Sequence, residues 1–292
     1  MYPLTKQELV ATWEFLDKNL ELGFIERCDE GGSPWSMPWF FTGKKDGGLW
    51  LLQDYQVVNS WTVRDVYPIP RIEQILKGLE GKTLFTALDI RWGYHNVRIR
   101  EEDQWKAAFK MPYRLFKPKV MFFGLTNSPP TFQRFMDQIF APLKRQYPGM
   151  IFVYMDDILI ATGDNIVLHR EIVHTVLDLL CRESLFCKLS KCHFEQTTIT
   201  YLGIVVEEGT IHIDPTKINR LLAWPQVLKM VKQVHSTLGV FGYHRAFILG
   251  YANIVRPLNN LLKKDTAFEW KDEHTEAMDQ LAYAVATNPV LR

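Results

Sequence analysis

The sequence is poor in cysteine, in net charge and in long apolar runs. Its 292 residues hold four cysteines, Cys28, Cys181, Cys187 and Cys192. Three share one segment, followed by His193, but their gaps are five and four residues and no second pair exists, where a zinc site prefers C-x2-4-C pairs. Thiols without disulfides, in a reducing compartment, are the expectation. No run of about 18 apolar residues occurs, so no membrane span is expected. The start, Met1-Tyr2-Pro3-Leu4-Thr5, lacks the basic stretch and apolar core of a secretory leader. The net charge of +1 does not announce a polyanionic partner.

What is present points elsewhere. Hydrophobic residues make up 47% and charged residues 23%, the balance of a folded chain long enough for two or three subdomains. Charge is unevenly spread. Between Val206 and Lys264 eight Lys/Arg face three acids, a surplus of five, which leaves the remainder at −4. A basic C-terminal third beside an acidic remainder suits a clamp on phosphates next to a carboxylate site, and equally suits a solvated helical surface.

Apolar periodicity predicts a helix over 5–22 and a hairpin of 39–41 with 49–52 around a basic tip at Lys44 and Lys45. A short helix is expected over 72–79. Strands are expected over 84–90, 96–100, 107–109 and 119–123. A loop over 124–130 leads to a helix over 131–143, then come a hairpin over 151–160 and a helix over 169–182. Residues 201–206 read as one strand pairing with 211–213. From Pro215 onward the pattern is helical throughout, over 215–223, 229–247, 252–263 and 272–287.

One stretch demands an explanation. Ile151-Phe152-Val153-Tyr154-Met155-Asp156-Asp157-Ile158-Leu159-Ile160 places two adjacent acids inside apolar strands. Acids are depleted in strands, and bare buried carboxylates are costly. A tight hairpin with the acids at its tip avoids deep burial. Asp89 ends an equally apolar strand, so neighbouring strands would bring three carboxylates to one sheet edge. That is a site for hard divalent ions. Two Mg²⁺ or Mn²⁺ there suit in-line phosphoryl transfer. Taken alone, the Asp-Asp pair also fits an ordinary turn. A metal-dependent hydrolase is a rival, but no His lies within ten residues of Asp156.

Further blocks recur in order around these acids. They include Lys44-Lys45-Asp46-Gly47, Gln53-Asp54-Tyr55, Tyr67-Pro68-Ile69-Pro70 and Leu88-Asp89-Ile90-Arg91-Trp92-Gly93-Tyr94. Trp105-Lys106-Ala107-Ala108-Phe109, Val120 through Pro129, Thr131-Phe132-Gln133, Lys191-Cys192-His193-Phe194 and Tyr201-Leu202-Gly203 follow. Together they make the chain resemble the reverse transcriptase domain of gypsy-class LTR retrotransposons, in particular fungal ones, over nearly its whole length.

The resemblance implies an α+β right hand of fingers, palm and thumb, with a mostly antiparallel palm sheet and a helical C-terminal third. Fingers would span 1–85 and the palm 86–205, with a fingers insertion near 101–122. The thumb would span 206–264, and 265–292 would begin a connection to an RNase H domain. It implies an RNA-directed DNA polymerase that uses two Mg²⁺ or Mn²⁺, dNTPs and a primed RNA or DNA template. Asp89, Asp156 and Asp157 fall on the metal-binding acids and Lys191 on a general acid for departing pyrophosphate. Tyr94 falls on the gate against a ribose 2′-hydroxyl, and Lys44 and Lys45 on the triphosphate side. Phe123, Gly124, Ser128, Pro129, Tyr154, Met155, Leu202 and Gly203 fall on template and primer contacts. The family also implies a larger polyprotein with protease, RNase H and integrase, in a cytoplasmic virus-like particle and with no membrane partner. The stretch read here carries no RNase H acidic cluster, so no RNase H activity is expected of it.

The chain departs from the family pattern at a few positions. Trp50 and Gln56 stand where Arg is usual, Leu51 where Pro is, Arg114 where Gly is, and Ala246 replaces one of an Arg pair. Trp50 matters most, because it cannot make the bidentate phosphate contact of Arg. Arg-to-Trp, Arg-to-Gln, Pro-to-Leu and Gly-to-Arg changes each arise by one C-to-T or G-to-A step. They leave open a second reading, a decayed copy that keeps the fold without turnover.

Overall fold

The computed structural model describes residues 4–28, 32–43, 47–112, 114–207, 210–264, 267–287 and 290–291. Helix α1 (Lys6–Glu21) opens on a capping box between Thr5 and Glu8. Strands β1 (Ile25–Cys28), β2 (Trp39–Gly43) and β3 (Leu49–Gln53) follow, then α2 (Gln56–Trp61), α3 (Ile72–Leu79) and β4 (Leu84–Asp89). Two 3-10 turns, Gly93–Asn96 and Glu101–Ala107, lead to β5 (Phe109–Lys110) and β6 (Leu115–Pro118). Then come α4 (Ser128–Gln146), β7 (Ile151–Tyr154), β8 (Asp157–Thr162), α5 (Ile166–Arg182) and β9 (His193–Gln196). Strands β10 (Thr198–Tyr201), β11 (Ile204–Glu207) and β12 (Thr210–Ile213) precede α6 (Pro215–Leu222) and α7 (Val231–Tyr243). The chain continues through α8 (Tyr251–Ile254), α9 (Arg256–Asn260), α10 (Asp272–Thr287) and β13 (Val290–Leu291).

The central sheet runs β7-β8-β4-β9, and every pairing in it is antiparallel. Side chains alternate across a strand, so each face needs its own cover. Leu88, Ile158 and Ile160 turn one way, onto Phe132, Met136 and Phe140 of α4 and Ile172 and Val176 of α5. Phe85, Leu159 and Ala161 turn the other way, onto Ile75, Leu76 and Leu79 of α3 and onto Ile199 and Tyr201. Both faces are therefore dry, which explains why β8 reads as a continuous apolar run. A second sheet, β10-β11-β12-β13, joins the second of these cores to the C-terminal helices. Strands β1-β6-β5 and the β2–β3 ribbon enclose a third core around Tyr55, Phe109 and Phe116 with α1. No described helix is long and apolar enough to cross a membrane.

Several sequence expectations give way. Residues 96–100, which alternate, and the apolar run 119–123 read as strands, but the backbone there pairs only at the isolated bridge Arg98–Val120. The regular strand is β6, just before, because β1 offers it a full partner. The expected strand over 201–206 breaks at Leu202 and Gly203, which take φ of 51° and 74° and turn β10 back on β11. Helix α4 starts earlier than expected because Pro129 fits a first helical turn. The C-terminal third is not wholly helical: β13 pairs with β12, and the expected helices over 229–247 and 252–263 break up. Helix α2 was not anticipated. The Lys44–Lys45 hairpin tip lies outside the described residues.

His169 of α5 ties the sheet together. Its Nε2 lies 2.8 Å from the Thr86 hydroxyl and its Nδ1 2.9 Å from the Thr162 hydroxyl. Thr162 donates to the Gly163 carbonyl, so Nδ1 donates to Thr162 and Nε2 accepts from Thr86. A proton added at Nε2 would oppose the Thr86 hydrogen. Burial holds this imidazole below its usual range, so folding favours the neutral form. Its contribution is complete above about pH 6.5 and is lost as pH falls through the depressed folded value, at up to about 1.4 kcal/mol per pH unit. His169→Gln keeps a donor and an acceptor without titrating. Urea midpoints of the variant are expected to decline less than the parent's between about pH 6.5 and 4.5. Equal slopes would refute the assignment.

Candidate active site

The β4–β8 register sets Asp89 directly opposite Asp157, and the two-residue turn Met155–Asp156 brings Asp156 beside them. Three backbone anchors hold the acids. The Ile90 amide donates to the Asp156 carbonyl at 2.8 Å, and the Lys188 amide donates to the Asp89 carbonyl at 2.8 Å. The Tyr201 hydroxyl donates to the Asp157 carbonyl at 3.1 Å.

The turn itself is strained, with Met155 at φ 55°. Gln133 of α4, fully buried, holds it there. Its Oε1 accepts from the Met155 amide at 2.7 Å, and its Nε2 donates to the Val153 carbonyl at 3.2 Å. Gln133 carried no assigned role in the sequence reading. A glutamine within a helix reads as surface, and only its place in the Thr131-Phe132-Gln133 block marked it.

Electrostatics concentrate at the same point. Burial and the neighbouring Asp156 and Asp89 push Asp157 up to about 6. Burial, and then Asp89, raise Asp156. Lys191 ion-pairs with Asp89 at 2.5 Å, and that bond raises its own pKa. Among the described residues no three acids, histidines or cysteines stand as a preformed metal cage, since Asp89 is turned to Lys191. The donor set nonetheless fits a hard divalent ion. All the ligands are oxygens, and two of the three acids are held above their normal range by burial and then by each other's charge, which a bound cation would offset.

Tyr94 stands beside this cluster. A Cβ built on Gly93, the preceding residue, would lie 3.8 Å from Asp156 Oδ2. The Tyr94 ring packs between Phe132 at 5.7 Å and Phe123 at 4.9 Å. Phe123 in turn meets Trp50 edge-on at 5.6 Å, so Trp50 continues an aromatic row that begins at Tyr94. Gly124 takes φ 95°, and a Cβ there would come within 3.3 Å of the Gln53 carbonyl and the Tyr55 ring. Ser128 Oγ donates to the Phe122 carbonyl and Pro129 follows in the first turn of α4, which fixes the exit of that loop. Leu202 and Gly203 form the β10–β11 turn, whose Leu202 carbonyl accepts from the Tyr243 hydroxyl of α7. The structure therefore gathers Asp89, Asp156, Asp157, Lys191 and Tyr94, with Phe123 adjoining through Tyr94 and Leu202 through Tyr201.

The departures are accommodated. Leu51 is buried in the third core and pairs with Phe41 in the β2–β3 ribbon. Arg114 is exposed.

Comparison with known proteins agrees with this geometry. A family profile described as "Reverse transcriptase (RNA-dependent DNA polymerase)" matches residues 43–206. The Tf2-3 and Tf2-4 transposon polyproteins of Schizosaccharomyces pombe are each 33% identical over 291 residues, covering 100% of this chain and 21% of each relative. The chain thus spans about a fifth of the length of these relatives. Among solved structures, the foamy viral protease-reverse transcriptase dRH in complex with ds DNA superposes with a TM-score of 0.81 at 22% identity, over 98% of this chain and 49% of that one. A foamy viral protease-reverse transcriptase with RNA/DNA hybrid gives 0.80 at 21%, over 99% and 38%.

Repulsion among the acids has a measurable sign. With its pKa raised from 3.8 to about 6, Asp157 contributes full stability below 3.8 and loses it as pH rises through about 6. Asp157→Asn is expected to raise the metal-free stability near pH 7.5 by about 1 kcal/mol after solvent screening, read as a higher melting temperature. It should also abolish most of any gain in stability that added Mg²⁺ gives the parent. A destabilised variant, or one that responds fully to Mg²⁺, would contradict this electrostatic picture.

Proposed function

The chain belongs to the reverse transcriptase (RNA-dependent DNA polymerase) family, and from that membership we propose that it is an RNA-directed DNA polymerase domain extending a primer 3′-hydroxyl with dNTPs. The observation that carries this reading is the strand register that sets Asp89 against Asp157 with Asp156 in the adjoining turn. Asp89, Asp156 and Asp157 would hold two Mg²⁺ or Mn²⁺, which when bound activate the 3′-hydroxyl and offset charge on the pyrophosphate. The protein supplies position and a fixed field.

Tyr94, wedged between Phe123 and Phe132, presents a rigid ring where a 2′-hydroxyl would have to fit, and so favours deoxynucleotides. Lys191 carries its proton on Nζ, held there by Asp89, and is the group to give a proton to the leaving pyrophosphate. Phe123, Gly124, Ser128 and Pro129 would support the templating pair. Leu202 and Gly203, with Tyr154 and Met155, would position the primer end. Lys44 and Lys45 would reach the triphosphate from the fingers.

We assign fingers to 1–85, palm to 86–205 with the insertion near 101–122, thumb to 206–264 and a connection to 265–292. The connection is the least separate of these, since α10 and β13 pack back against the thumb and the second sheet. Template and primer are the proposed partners. A longer polyprotein, with protease, RNase H and integrase working in a cytoplasmic virus-like particle, is the proposed setting. The reading of a non-catalytic remnant is not favoured, and the gathering of Asp89, Asp156, Asp157, Lys191 and Tyr94 supports the enzyme instead.

Primer extension on primed RNA and DNA templates tests the function. Asp156→Asn is expected to cut extension about a hundredfold or more. Extension that survives this change would rule out the assigned centre. Trp50→Arg restores a bidentate phosphate donor and is expected to lower KM for dNTPs about tenfold with kcat little changed. An unchanged KM would show that position 50 does not face the triphosphate.

A further inference from the structure

A cluster of three tryptophans stands on the fingers, apart from the carboxylates. Trp35 lies 5.4 Å from Trp61 and 5.8 Å from Trp105, ring centre to ring centre. Two of the three are fixed from behind. Trp35 donates from Nε1 to the Lys106 carbonyl at 3.1 Å, and Ser33 Oγ donates to the Trp35 and Trp105 carbonyls at 2.7 and 3.0 Å. Trp61 ends α2 and is 72% exposed. A rigid indole pair thus backs a third indole that is open to solvent. Such a surface offers a flat π-face to something that stacks.

Its placement identifies the partner. The segment carrying Trp61 is joined to the Gly124 loop by four hydrogen bonds. Asn59 Nδ2 donates to the Gly124 carbonyl at 2.7 Å, and the Thr126 amide donates to Asn59 Oδ1 at 2.8 Å. Asn127 Nδ2 donates to the Val63 carbonyl at 2.9 Å, and the Asp65 amide donates to Asn127 Oδ1 at 3.0 Å. Trp61 is therefore held rigidly to the loop that supports the templating pair. Cations belong to the same region. Arg64, three residues after Trp61 and exposed, has no acid partner among the described residues, while Lys106 sits 5.8 Å from the centre of the Trp105 ring and ion-pairs with Asp103. Stacking faces interleaved with cations form the surface that unpaired nucleic acid recognises, since every base has a π-face and every linkage a charge.

We propose that Trp61, backed by Trp35 and Trp105, is a stacking platform for the unpaired template strand just ahead of the templating base. This rests on the polymerase reading above. Arg64 supplies a phosphate contact, and recognition is independent of sequence.

Binding of the full chain to two labelled primer–templates separates the possibilities, one blunt at the template 5′ end and one with several unpaired template nucleotides. The overhang is expected to tighten binding by the parent about tenfold. Trp61→Ala should remove that gain and leave blunt-end affinity unchanged, while Trp61→Phe keeps most of it. The platform is refuted if Trp61→Ala weakens both substrates equally or leaves the overhang gain intact. It is also refuted if sedimentation shows that Trp61→Ala dissolves a dimer of the free chain, which would make this face an interface between copies. If the parent binds blunt duplex without an overhang gain, the platform falls and the polymerase reading stands. If it binds neither substrate, both fall.

Discussion

Mutual repulsion of three carboxylates is the constraint around which the centre of the molecule is built. Asp89, Asp156 and Asp157 would separate if their side chains alone decided the matter. The backbone does not allow it. Antiparallel pairing fixes Asp89 opposite Asp157, and the dry faces of the sheet fix the pairing, since a slip of one residue would turn Leu88, Ile158 and Ile160 out of one core and into the other. Hydrophobic burial on two faces therefore holds charge together at one edge. The cost appears as raised carboxylate pKa values, and one ammonium, Lys191, offsets part of it.

The supports around the acids share a pattern. Each anchors main chain and leaves the carboxylate oxygens free. Gln133 takes the amide of Met155, Ile90 takes the carbonyl of Asp156, and Tyr201 takes the carbonyl of Asp157. A left-handed Met155 is tolerable only in such a clamp. Geometry is thereby fixed without using up the lone pairs that chemistry needs.

Much of this was legible in the sequence and some was not, for identifiable reasons. Acids at the ends of apolar strands stand out because burial makes them improbable, so Asp89, Asp156 and Asp157 could be grouped without coordinates. Tyr94, Phe123 and Gly124 needed the family pattern, because a lone aromatic or glycine carries no chemistry of its own. The turn at Leu202 and Gly203 was hidden, since an apolar run reads as one strand whether or not it reverses. Residues 96–100 failed in the opposite way: their alternation is real, but a strand exists only where a partner does, and pairing is not a local property. Trp50 was legible as a lost charge. That its ring continues the Tyr94–Phe123 row could come only from the fold.

The Tyr201–Leu202 step also acts as a piece of mechanics. Tyr201 is bonded to the carbonyl of Asp157, and the next residue accepts the hydroxyl of Tyr243 from a helix of the C-terminal third. Two adjacent residues thus form a stiff strut with one end on the acids and the other on a separate helical layer. A displacement of α7 would load this strut directly. The β10–β11 turn and the carboxylate edge are then not independent parts. The same short lever that steadies the acids when the helices are seated would transmit any lifting of those helices as slack at Asp157.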